Sequence, residues 1–129
     1  MVLVPLPYGE IVDRIVILEL KCARIADPGH QAQARALRDA LVERWLAAEL
    51  PPLEGVPGHA ALVEVNTALW DVEDALRVHE RDGTFGASFV SLARDVYRHN
   101  DRRAALKRAI DERLGSPLSE PKFHRLQTG

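Results

Sequence analysis

Cysteine is almost missing from this chain, with Cys22 the single one among 129 residues. No internal disulfide framework can form, and the thiol content points to no oxidising compartment. Long apolar runs are missing as well, and none approaches the ~20 residues that span a bilayer. Neither sign of charge dominates: 17 Lys and Arg against 19 Asp and Glu leave a net charge of −2. A general nucleic-acid or anionic-membrane binder would carry a positive excess, so neither partner is expected. No phosphate-binding loop or dinucleotide glycine motif is present. Ser88, Ser91, Ser116 and Ser119 have no His/Asp pattern beside them that would make a nucleophile, and the histidines are scattered. Asp95 and His99 are four apart but have no third ligand, so no metal or cofactor is expected. The stretch Met1–Pro7 lacks a basic start and is cut by Pro5 and Pro7, which makes a poor signal peptide. The expected compartment is a reducing cytoplasm.

What is present is an ordinary globular composition, 47% hydrophobic and 28% charged, in a length suited to one domain over 1–129. Proline and glycine divide the chain into four helical stretches. Before them, Val2–Leu6 reads as an extended arm or short edge strand, since its prolines block a helix. A first helix is predicted over Glu10–Ala26, where Ile11, Ile15, Leu18, Cys22 and Ile25 repeat at four-three spacing. Val12, Val16 and Ala23 widen that face to about half the cylinder at ~100° per residue, which suits a central helix and a buried, inert Cys22. Asp27-Pro28 then supplies a cap and a first-position proline for a second helix, Pro28–Glu49, with its stripe at Ala34, Leu37, Leu41, Trp45 and Ala48. The proline-rich stretch Pro51–Gly58 is a loop. The third helix covers His59–Arg81 on a seam of Leu62, Val65, Leu69, Val72 and Leu76, and Asp82-Gly83 stops it. The fourth begins at Gly86–Ser88 and ends at Leu114 with Gly115 as its C-terminal cap. A tail from Ser116 to Gly129 reads as irregular. The expected fold is all-α, an antiparallel bundle of about four helices.

Polar groups stand where a plain core would be apolar. On the fourth helix the row Phe89, Ala93, Val96, Asn100, Arg103, Lys107, Ile110, Leu114 keeps to one face, yet its middle is an amide and two cations, with Tyr97 beside them. On the third, Asn66, Trp70, Glu73 and Arg77 follow at steps of four, three and four along the edge of the seam. On the first, Glu19 falls among Val12, Ile15, Val16 and Ala23. An unpaired carboxylate there would cost several kcal/mol. If these faces meet, the interior holds Glu19 and Glu73 against Arg77, Arg103 and Lys107, one positive charge over neutral, which suits a carboxylate or phosphate ligand. The alternative is a solvated flank carrying a Glu73–Arg77 pair worth ~0.3–0.5 kcal/mol. Tyr8-Gly9-Glu10, Asp13 and Arg14 read as an ordinary helix start, with the acids favoured by the dipole.

Several phrases occur together: Tyr8-Gly9-Glu10 with Asp13 and Ile17-Leu18-Glu19-Leu20-Lys21; Asn66 with Leu69-Trp70, Glu73-Asp74, Arg77 and Glu80. Further on come Ala93-Arg94, Val96-Tyr97, Asn100-Asp101, Arg103-Ala104 and Lys107-Arg108, then Gly115-Ser116 with Glu120 and Lys122. In these the chain resembles a family of small bacterial proteins that carries the label of a domain of unknown function and is associated with surface-polysaccharide or glycosyl-transfer loci. The likeness covers most of the chain, least of all the second helix and the proline loop, and departs from the pattern at Pro117 and Pro121. It implies a mainly helical fold and no assigned activity or site residue.

Three functions fit these readings. The first is a binding protein whose internal polar site takes a small anionic metabolite or a charged partner segment. The second is a small all-helical enzyme in the manner of the helical chorismate mutases, although their residue spacing is not matched here. The third is a homodimeric assembly protein whose polar seam sets the interface.

Overall fold

In a computed structural model, residues 1–121 are described, and they form four α-helices and one 3-10 turn without a strand among them. Helix α1 spans Tyr8–Arg24, α2 Pro28–Ala47, α3 His59–Asp82 and α4 Ala87–Leu114. The 3-10 turn, η1, covers Leu53–Gly55 inside the proline loop. The boundaries fall where the local chemistry puts them. Asp27 accepts the His30 N–H at 2.8 Å and Pro28 opens α2. Gly83 and Gly115 end α3 and α4 in the left-handed region, at φ 67° and 65°.

Successive helices run antiparallel, so α1 and α3 point one way and α2 and α4 the other. Helix α1 packs against all three others and is the central element. Helix α2 has its main packing on α1, whereas α1, α3 and α4 meet one another. The core gathers at one end of the bundle, where α1 and α3 begin and α2 and α4 finish. Val12, Ile15 and Val16 of α1 pack there with Trp45, Leu53, Val56, Leu62, Val65 and Ile110. Tyr8 meets the Trp45 ring edge-on at 5.8 Å, and the indole N–H donates to the Pro51 carbonyl at 2.7 Å, which ties α2 to the loop.

Helix α1 lacks a side-chain cap of its own. Its first N–H groups are satisfied from the far end of α4 instead. Tyr8 N–H donates to Ser116 Oγ at 3.1 Å and Gly9 N–H to Asp111 Oδ1 at 2.7 Å. Asp111 is buried and also accepts from Ser119 Oγ at 3.0 Å. Glycine is required at position 9, because a Cβ there would collide with the Lys107 carbonyl of α4. The two backbones are therefore in direct contact at this crossing.

Three local expectations are corrected. The arm Val2–Leu6 forms no strand, and Met1–Pro5 are exposed. Cys22 is half-buried rather than sealed in the seam, and its carbonyl accepts from Gln31 Nε2 at 2.6 Å. Leu37, placed on the α2 stripe, is 55% exposed, because α2 has one main neighbour and buries a narrow strip. The expected tail is described to Pro121, and Lys122 and His124 lie outside the described residues.

Candidate functional site

Helices α1, α3 and α4 leave a groove of about 320 Å³ between them, open to solvent on one side. Helix α1 contributes Ile17, Leu20 and Lys21 to its walls. The α3 wall is the row Asn66, Leu69, Trp70, Glu73 and Arg77, and α4 adds Asn100 and Arg103. Three and four residues apart on one helix means one face, so each wall is continuous. The α3 and α4 rows belong to one groove because those helices are antiparallel neighbours.

The floor is a buried ionic network. Asp13 of α1 has no solvent exposure. Arg103 reaches it from α4 with a two-pronged contact, Nε to Oδ1 at 3.0 Å and Nη2 to Oδ2 at 2.6 Å. Asn66 of α3 donates through Nδ2 to Asp13 Oδ1 at 2.9 Å and to the Leu62 carbonyl at 3.0 Å. One carboxylate thus joins the three helices at a single point. The fork geometry locks the guanidinium plane. The Asp13 hydrogen bond raises the Arg103 pKa above its ordinary value, against the opposing effect of burial, so the group stays a cation. Among the described residues, Arg103 Nη1 has no hydrogen-bond partner.

Above this floor the groove is mixed in character. Lys21, Arg77 and Arg103 supply three cations, Glu73 one carboxylate, and Asp13 offsets one further charge from below, which leaves one net positive. Ile17 and Leu20 of α1 with Leu69 and Trp70 of α3 make the apolar part of its walls. Arg24, paired with Asp71 across the end of α1, lies over the Trp70 ring at 5.9 Å and holds the indole in place. Among the described residues no cysteine, serine or histidine lines the groove. Its chemistry is the binding of charge and the placing of hydrogen bonds. Among the described residues no three His, Cys, Asp or Glu side chains gather to hold a metal ion.

Of the nine residues singled out from the sequence, Asn66, Trp70, Glu73, Arg77, Asn100 and Arg103 line this groove together. Three do not. Glu19 is half-buried and faces α2, where the hydrogen bond of Asp39 and, less strongly, the charge of Glu19 raise the Arg38 pKa. Tyr97 is 73% exposed and points away. Lys107 lies one turn below Arg103, ion-paired with Glu10 and reaching Glu120 at 3.5 Å. Burial pushes the Glu10 carboxyl up, but the hydrogen bond and charge of Lys107, joined by Arg14, outweigh it and set its pKa below the usual value.

Asp13 is the residue that the sequence reading misplaced. Its position in the second turn of α1 suggests a dipole partner, yet the carboxylate is buried in the floor. The available signal was its place between Val12 and Ile15 and below Val16 and Ile17, which puts it on the apolar side. Lys21 is eight residues further on, two turns along the same side.

No family model, curated protein or solved structure matches the chain in comparison with known proteins. Among the described residues no helix is long and apolar enough to cross a membrane.

Proposed function

We propose that the groove between α1, α3 and α4 binds a small organic anion, a carboxylate or phosphate, and that the protein acts as a binding protein for it. The observation that carries this reading is Arg103. Its guanidinium is fixed on one edge by a buried acid, remains charged, and lines an open groove with Nη1 unengaged among the described residues. A cation kept only for stability would have its donors used up inside. Lys21 and Arg77 at the same groove add to the positive potential, and Asn100 offers an amide donor. The volume falls in the range of small-molecule sites, ~300–1,000 Å³.

The test is calorimetric titration with a panel of carboxylates and phosphates, on wild type and on two variants. The Lys21→Met/Arg77→Met pair removes the exposed cations. Asp13→Leu/Arg103→Met removes the floor pair together, so no buried charge is orphaned. Each variant is expected to weaken binding by about tenfold or more, the worth of one charge-assisted hydrogen bond. Failure of every anion to bind, or wild-type affinity in both variants, refutes the reading.

A further inference from the structure

The apolar part of the groove's walls has no role in holding a bare anion. A space of about 320 Å³ equals roughly ten waters at ~30 Å³ each, and a lone oxyanion at Arg103 would fill only a small part of it. The remainder is bounded by Ile17, Leu20, Leu69 and Trp70. Trp70 is the distinctive member of that set. A groove needing only apolar bulk would be served by another leucine, whereas the indole brings a flat π surface that is already braced by Arg24 and its partner Asp71. A braced ring loses little freedom when a second flat group packs on it. Trp70 stands one turn along α3 from Asn66, whose amide shares Asp13 with Arg103. Arg103 of α4 and Trp70 of α3 line the same groove, so one ligand can reach the cation and the flat surface together.

Building on the anion-binding reading, we infer that the ligand is a flat-ring anion, a carboxylate or phosphate attached to an aromatic or heteroaromatic ring, with its charge at Arg103 and its ring against Trp70. The experiment compares matched pairs by calorimetry and by quenching of indole fluorescence: phenyl phosphate with inorganic phosphate, and benzoate with acetate. Wild type is expected to bind the ring-bearing member of at least one pair about tenfold more tightly. The pair with the larger ratio then identifies the anionic group. Trp70→Leu is expected to cut that ratio to about threefold or less while bare-anion binding persists. Trp70→Phe, which keeps a flat ring, is expected to retain most of it and guards against a loss caused by misfolding. Equal affinity within both pairs, with binding still dependent on Arg103, overturns this inference and leaves the anion site standing. A ring preference that survives in Trp70→Leu also overturns it. Absence of any binding removes both readings.

Discussion

The two ends of the bundle are built differently. At the base, nine buried side chains from the four helices and the proline loop, Trp45 and Ile110 among them, pack together, and backbone touches backbone at Gly9. At the other end, α3 and α4 continue past the end of α1 as a hairpin of two helices, since α1 stops at Arg24 beside Asp71 while α3 runs on to Asp82. No residue of α3 beyond Leu69 is buried, and the buried residues of α4 are Ile110 and Asp111, both near its finish. The hairpin tip holds itself together with a small aromatic group, Phe85 edge-on to Phe89 at 5.2 Å and His79 to Phe89 at 6.2 Å. Phe85 and Val90 remain 53% and 45% exposed. The groove lies between these regimes, its floor rooted in the packed base and its walls rising into the open hairpin. Such a placement gives a site one rigid side and one adaptable side.

The sharpest way to break this comparison is to truncate one ring at each end. Trp45→Ala is expected to cost about 3–5 kcal/mol in chemical denaturation, since it opens a cavity and orphans the Pro51 carbonyl. Phe89→Ala, half-buried at the tip, is expected to cost about 1 kcal/mol or less. Equal losses would show that the tip is as tightly coupled to the fold as the base. The next largest effect belongs to the floor. Arg103→Met alone leaves the Asp13 carboxylate buried and unpaired and is expected to cost about 3 kcal/mol or more. Asp13→Leu/Arg103→Met is expected to recover most of that loss, because an apolar pair needs no compensation. A double variant as unstable as the single one would show that the network is indispensable to folding. The smallest effect is a pH dependence. The Glu10 pKa is lower folded than its usual value of 4.5, so the pair with Lys107 stabilises above about pH 4.5 and is lost as pH falls through the lower folded value. Glu10→Gln should reduce stability near neutrality by less than Arg103→Met does and flatten the acid limb of a Tm-against-pH profile. An unchanged acid limb would assign the sensitivity to other carboxylates.

The four helices were legible because proline and glycine punctuate the chain and the apolar spacing between those breaks is helical throughout. The groove's α3 and α4 walls were legible for the same reason: Asn66, Trp70, Glu73 and Arg77 interrupt an apolar edge at helical steps, as Asn100 and Arg103 do on α4. Which helices meet was not legible, and there the reading lost Glu19 and Lys107. Glu19 shares the apolar half of α1, but that half is wide enough to face α2 on one flank and α3 with α4 on the other. Glu19 belongs to the first flank and Asp13 to the second. An acid near a helix start has a sufficient local explanation in the dipole, and that explanation hid the long-range partner of Asp13, ninety residues away.

The borrowed caps of α1 bear on how the chain is made. Tyr8 and Gly9 find their acceptors on Ser116 and Asp111, more than a hundred residues downstream. During synthesis the opening turn of α1 lacks these acceptors until those later residues leave the ribosome. The floor must wait as well, since Asp13 has no cation until Arg103 arrives. Nascent segments can coil early, but the groove cannot close before α4, which supplies Asn100 and Arg103, has been made.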